Sequence, residues 1–237
     1  VQTCALPIYL QLMLCDLSSR EEIRKLARDF LANDRPLHVL INNAGVVHTT
    51  RSETVDGIES TFAVNHLAYF MLTLLLLPRI RASAPARIIN VSSDVHRSGG
   101  GRMDFDDLFS QKRFSAMRSY GQSKLANVMF ALELDARLRR QGSSVGSLAA
   151  HPGLARTNLQ PASVAANGSR LESLAYRLMD PLFQSAAMGA LPQLHAATAP
   201  GAQGGEHYGP DGFGGLRGWP DRKSTRLNSS HSSVSRM

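Results

Sequence analysis

Apolar residues fall along this chain in short unbroken runs, separated by longer stretches that repeat with a helical period. "YLQLML" (9–14) is extended and apolar and ends in Cys15-Asp16. "SSREE" then offers a capping box, Ser18 with Glu21 or Ser19 with Glu22, and Ile23, Leu26, Phe30 and Leu31 follow at helical spacing. "LHVLI" (37–41) has the form of a buried parallel strand running into "NNAG", and "ARIINVSS" (86–93) is a second such run. A helical stretch over about 53–82 lies between them. "SYGQSKLANVMFALELDARL" (119–138) is an amphipathic helix with Leu125, Val128, Met129, Leu132 and Leu134 available to a core. "SSVGSLAAHPG" (143–153) is a further strand broken by Pro152-Gly153, a helical region covers about 168–199, and "GGEHYGPDGF" (204–213) closes as a short strand and turn.

Strands alternating with helices imply βαβ units and a parallel sheet covered on both faces, an α/β doubly wound architecture in one domain. Ligands in such sheets sit beyond the carboxyl ends of the strands. The unusual residues collect there: Asp16, then Asn42-Asn43-Ala44-Gly45, then Ser92-Ser93, then His151-Pro152-Gly153.

Composition sharpens this picture only slightly. The 237 residues are 43% hydrophobic, enough for one substantial core. Cys4 and Cys15 make no disulfide framework, which suits a reducing, cytoplasmic setting. The apolar run "YFMLTLLLLP" (69–78) is too short to span a bilayer, and no signal-peptide pattern opens the chain, so a soluble protein is expected. The formal net charge is +7, of which four bases and one acid between Asp221 and Met237 supply +3. The rest is scattered over helix faces without aromatic interleaving, so nucleic acid is not an expected partner. "DRKSTRLNSSH" near the end and "VQTCALPI" at the start resemble translated sequencing adapter. Residues 1–8 and 221–237 are therefore set apart from the domain at 9–220, the latter as an irregular tail.

The first turn of the 119–138 helix raises a chemical question, because Tyr120 and Lys124 lie one helical turn apart on the same side. A free phenol has a pKa near ~10, and a cation within about 4–6 Å lowers it by roughly 1–3 units. The pair then reads as a tuned general acid/base. Taken alone, Tyr-x-x-x-Lys is equally a surface tyrosine beside a surface lysine.

Its company points further. "NNAG" at 42–45, Asn65 in "VNHLAYF", "INVSS" at 89–93, "YGQSK" at 120–124 and "HPGLARTNL" at 151–159 stand in the order and spacing of the short-chain dehydrogenase/reductase family. The chain resembles that family over essentially all of 9–220, and most of all its retinol-dehydrogenase-like branch. The resemblance implies a Rossmann-like sheet and hydride transfer between NAD or NADP and an alcohol or ketone, here an apolar one. It implies that Tyr120 exchanges the proton, that Lys124 lowers the tyrosine pKa and bonds the nicotinamide ribose, and that Ser93 holds the substrate oxygen while Ser92 points into the sheet. Asn65 would support a water-mediated proton path to Lys124, or equally satisfy a helix irregularity. Asp16 would contact the adenine, Asn43, Ala44 and Gly45 would line the adenosine pocket, and Thr157 would bind the carboxamide. His96 and His151 are left as structural or pocket residues, and no metal is expected.

One departure stands out. The family's glycine-rich turn is not found in residues 1–45, and the sequence starts at what resembles the family's third strand, two strands in. The choice between NAD and NADP is then unreadable, the fragment itself is expected to be inactive, and "LHVLI" is expected to expose an edge. Residues 158–190 supply either a substrate wall or plain helix core. Two other functions fit the fold, a non-catalytic dinucleotide sensor and a nucleotide-sugar epimerase or dehydratase, and a homo-oligomer is compatible with all of them.

Overall fold

The computed structural model describes residues 9–98, 102–156 and 183–223. Residues 1–8, Thr157 and the first part of the expected substrate wall lie outside the described residues, as does the tail beyond Lys223. The sheet has five strands in the order β1 (Val39–Asn42), β2 (Ala86–Val91), β3 (Val145–Ala150), β4 (His207–Pro210) and β5 (Pro220–Lys223). The first four are parallel, and β5 returns antiparallel to β4.

β2 is an inner strand, paired from Val39↔Arg87 to Asn42↔Asn90 on one side and from Ala86↔Val145 to Val91↔Ala150 on the other. Successive strand residues face opposite ways, so its apolar run must be covered twice. Ile88 packs with Leu76, Ile80, Leu134, Leu138 and Val145 on one face. Ile89 packs with Leu148, Ala150, Ala196, Ala197 and Tyr208 on the other. The first face is covered by α3 (Ala68–Ala82) and α5 (Ala116–Arg140), the second by α6 (Ala186–Thr198), and α1 (Arg20–Leu31) packs on α3. Of the two capping registers offered by the sequence, Ser19 is used: its Oγ accepts from the Glu22 N–H at 3.3 Å.

The helical stretch expected from about 53 begins later and is not uniform. It opens with the short α2 (Ser60–Phe62), widens into a π-turn at Ala63–Leu67, and then continues as α3. The whole helix Ser60–Ala82 is long and apolar enough to cross a membrane, a correction to the shorter run read from the sequence. Here about half of its most apolar stretch is buried against the rest of the fold.

Two other expectations change, and one holds. Tyr9–Leu14 forms no strand: Leu10, Leu12 and Leu14 are 90%, 81% and 83% exposed, because no neighbouring strand pairs with this segment among the described residues. β1 is the exposed edge expected of it, and Val39 and Ile41 are each 38% exposed. Asp221–Lys223, expected in an irregular tail, belong to β5 and pair with His207–Gly209. Backbone hydrogen bonds supply that pairing, so the polar side chains need no apolar period.

An unpaired apolar edge recruits other chains. Ile41→Lys is therefore expected to raise the monomer fraction, measured by size-exclusion chromatography with light scattering. Truncation before Asp221 should lower the thermal midpoint relative to truncation after Lys223, because only the former removes β5.

Candidate functional site

The carboxyl ends of β1, β2 and β3 bring distant segments together. β2 delivers the Val91 carbonyl and then Ser92 and Ser93 in sequence. Ser92 turns inward, its Oγ donating to the Lys124 carbonyl at 2.8 Å, while the Ser93 hydroxyl lies near enough to the Tyr120 phenol to favour its ionised form. Ser93 Oγ accepts from the Val95 N–H at 3.4 Å, which leaves its own O–H available to donate.

Tyr120 and Lys124 lie in the buried first half of α5. Lys124 Nζ sits 5.6 Å from the Tyr120 ring centroid and donates to the Val91 carbonyl at 3.2 Å. Burial outweighs the lowering of the phenol pKa expected from this cation. It pushes the Tyr120 phenol above its usual value, and the Ser93 hydroxyl draws it partly back. Lys124 is itself pulled down to about 8 by burial, so its charge is weakened where the phenol would need it.

Asn65 lies in the π-turn, whose wide backbone aims the side chain at the loop after β1. Its Oδ1 accepts from the Val46 N–H at 2.8 Å and its Nδ2 donates to the Val46 carbonyl at 2.9 Å, with Ser123 Oγ a second acceptor at 3.1 Å. The amide thus satisfies a strand-like backbone unit in a place no strand reaches. Gly45 is drawn in beside it: a Cβ there would lie 3.4 Å from both Asn65 Oδ1 and Lys124 Nζ. The remaining "NNAG" residues are fastened from below. Asn42 Nδ2 donates to Thr73 Oγ1 at 3.0 Å and to Asn90 Oδ1 at 2.9 Å, and the Ala44 carbonyl accepts from the Tyr69 hydroxyl. Asn43 and Ala44 remain exposed.

Gly45, Asn65, Ser93, Tyr120 and Lys124 are therefore brought together. Asp16 is not: the polar contacts described for it are local, its Oδ1 accepting from the Ser18 N–H at 2.8 Å and its carbonyl from the Ser19 N–H at 3.1 Å. The Ser18 N–H first, and then the Ser18 hydroxyl, hold its carboxyl below the usual range.

Three supporting residues escape a sequence reading. Asn127 donates to the Asn65 carbonyl at 2.9 Å and to the Val91 carbonyl at 3.1 Å, tying the π-turn to β2. Tyr69 is four residues beyond Asn65, a spacing that offers a signal only once Asn65 is fixed. Glu59 is fully buried, caps Thr61 N–H and Phe62 N–H at 2.8 Å each, and accepts from Ser119 Oγ at 2.5 Å, next to Tyr120.

A buried tyrosine and lysine on one helix, with a serine hydroxyl at the end of an inner parallel strand, is the arrangement of a short-chain dehydrogenase. The family model for short chain dehydrogenase matches residues 8–105, and the chain belongs to that family, in its retinol-dehydrogenase-like branch. It is 46% identical to retinol dehydrogenase 12 of Mus musculus over 184 residues, which is 78% of this chain and 55% of that protein. It is 40% identical to retinol dehydrogenase 11 of Homo sapiens over 195 residues, 81% of this chain and 58% of that one. The chain thus spans little more than half the length of these curated relatives. A crystal structure of an uncharacterized protein from Mycobacterium paratuberculosis superimposes with a TM-score of 0.68 at 32% identity, covering 93% of this chain and 70% of that chain.

Asn65→Ala would leave the Val46 N–H and C=O unpaired. A loss of about 2–4 kcal/mol in folding stability is expected, checked by urea denaturation. Asn65→Asp, which keeps one acceptor for the Val46 N–H, should lose less.

Proposed function

We propose that this chain carries the catalytic half of an oxidoreductase that moves a hydride between NAD or NADP and an apolar alcohol or its carbonyl product, of the retinol type. The observation that carries the reading is the burial of Tyr120 and Lys124 one helical turn apart, Nζ 5.6 Å from the phenol ring centroid, with the Ser93 hydroxyl beside the phenol. A protein that only sensed dinucleotide would have no use for two hydroxyls aimed at one point.

The dinucleotide fits the residues at its nicotinamide-ribose end. Gly45 has no side chain to stand before Lys124 and Asn65, and Lys124 uses only one of three ammonium donors on Val91. When bound, the cofactor supplies or accepts the hydride. The chain's residues do the rest. Ser93 and Tyr120 present two O–H groups to one substrate oxygen, and Tyr120 gives that oxygen its proton in reduction or takes it in oxidation. A phenol held above its usual pKa is protonated at neutral pH, the form that reduction requires. Lys124, drawn to about 8, exchanges protons close to neutrality and can resupply the tyrosine. Asn65, through Asn127 and Val91, keeps the lysine in place. Thr157 is assigned to the carboxamide and Asp16 to the adenine, on family resemblance alone. A cytoplasmic setting suits the free thiol of Cys15, and a homo-oligomer is compatible with this reading.

The test uses this chain extended at its N-terminus by a glycine-rich strand–turn–helix unit, assayed with retinal and other apolar carbonyl compounds against NADH and NADPH. Tyr120→Phe should cut turnover by roughly 10²–10⁴-fold with cofactor affinity little changed. Lys124→Ala should impair both. Retention of most of the turnover by Tyr120→Phe would move the proton transfer elsewhere. Without the extension, titration followed by nicotinamide fluorescence should show no saturable binding at micromolar NADH or NADPH, because the glycine-rich phosphate cradle is missing from this sequence.

A further inference from the structure

Below the Ser93–Tyr120 pair lies a cluster of imidazoles that the proposed chemistry does not use. His96 is in α4 (Val95–Ser98), His151 follows β3, and His207 opens β4. All three are buried, and the His207 ring is packed between the others, its centroid 5.5 Å from His96 and 5.2 Å from His151. The register that sets Ala149 opposite His207 brings His151 and His207 to the same end of the sheet. Gly209 makes room for this: a Cβ there would collide with the His151 ring.

Their hydrogen bonds fix two tautomers. His96 Nδ1 bonds the Ser93 carbonyl, an acceptor only, so Nδ1 carries the proton. His151 Nδ1 accepts from the Gly153 N–H at 3.3 Å, so the proton of that ring is on Nε2, which faces Asp94 Oδ1 at 3.5 Å. One ring therefore holds the carbonyl of Ser93, another faces the side chain of the next residue, and the third packs both rings. The turn they hold has no strand pairing of its own beyond the Ser92 N–H, which donates to the Ala150 carbonyl at 2.7 Å.

We propose that His96, His151 and His207 are positioning residues, neutral rings in fixed tautomers that hold the Ser93–Asp94 turn so that the Ser93 hydroxyl stays beside the Tyr120 phenol. The inference rests on the reading of Ser93 and Tyr120 as the pair that meets the substrate oxygen.

The electrostatic surroundings favour the neutral rings. Arg97 from α4 and Lys223 from β5 bear on the cluster, and Asp94 is the acid that faces it. Burial first, and then the other positive groups, holds His151 down to about 3 and His207 well below its usual value. A proton added to His151 Nδ1 would set two donors, that N–H and the Gly153 N–H, against each other. The depressed folded value sets the sign. The unfolded chain binds more protons between about pH 6.5 and 3, so the cluster's contribution is whole above 6.5 and is lost as pH falls through that window.

Nuclear magnetic resonance on the full chain tests this without turnover. With ¹⁵N-labelled imidazoles at pH 7, His96 should appear as the neutral Nδ1–H tautomer and His151 as the neutral Nε2–H tautomer. The opposite tautomer at either ring overturns the proposal, whether or not any variant folds. With ¹³Cζ-tyrosine, the Tyr120 resonance, assigned by its loss in Tyr120→Phe, should move in His151→Ala and in His207→Ala in the direction that Ser93→Ala moves it. His151→Gln, whose amide can still donate to Asp94, should bring it most of the way back. An unmoved Tyr120 resonance in the histidine variants, beside a shifted one in Ser93→Ala, overturns the positioning role and leaves the Ser93–Tyr120 reading intact. No shift in Ser93→Ala overturns that reading itself.

Discussion

The burial of β2 on both faces and along both edges is the constraint on which the rest of the molecule depends. Its backbone is hydrogen-bonded to β1 and β3, and Ile88 and Ile89 are sealed into separate cores. A strand held in this way has no freedom to slide, because a shift of one residue would exchange the two faces. Its carboxyl end is therefore a fixed point. The Val91 carbonyl receives Lys124 and Asn127, Ser92 receives the backbone of α5, and Ser93 meets Tyr120.

The polar residues around that point stabilise the site at some cost. Lys124 gives up most of its hydration and finds one carbonyl, and the fall of its pKa to about 8 expresses that penalty. Asn65 and Asn127 do the opposite, since their amides satisfy backbone groups that no regular element could reach. Neutral amides bear the structural load, and the titratable groups are left desolvated and close to the protonation states the chemistry requires.

How much of this was legible in the sequence depended on whether the signal was local. β2 and α5 announce themselves because a doubly buried strand needs an unbroken apolar run and a packed helix needs its period. The motifs around Asn43, Asn65, Ser93 and Tyr120 were legible as residues, and their convergence follows from parallel strands ending at one edge. Tyr9–Leu14 shows where local signals end: the segment has the residues of a strand, but a strand exists only against a neighbour. β5 is the converse, a polar stretch that pairs because β4 offers a backbone. The Tyr120–Lys124 spacing gave proximity but not the weight of desolvation, because proximity is set by helix geometry while desolvation is set by everything packed around it. Asn127 looked like any polar helix position until its two carbonyl partners were in place.

The π-turn at Ala63–Leu67 has a consequence for which changes of length this fold can absorb. The wide turn absorbs one extra residue locally, so losing one residue between 63 and 67 would restore an ordinary turn and leave the phase of the later helix nearly unchanged. Beyond Leu67 there is no such slack, and each residue added or removed rotates the downstream side chains by about 100°. A deletion there would turn Thr73 away from Asn42 and Leu76 and Ile80 out of the core. The cost of shortening the turn itself falls on Asn65, whose aim at Val46 depends on the wide backbone. The length of the helix is therefore fixed by packing after Leu67 and by the site before it.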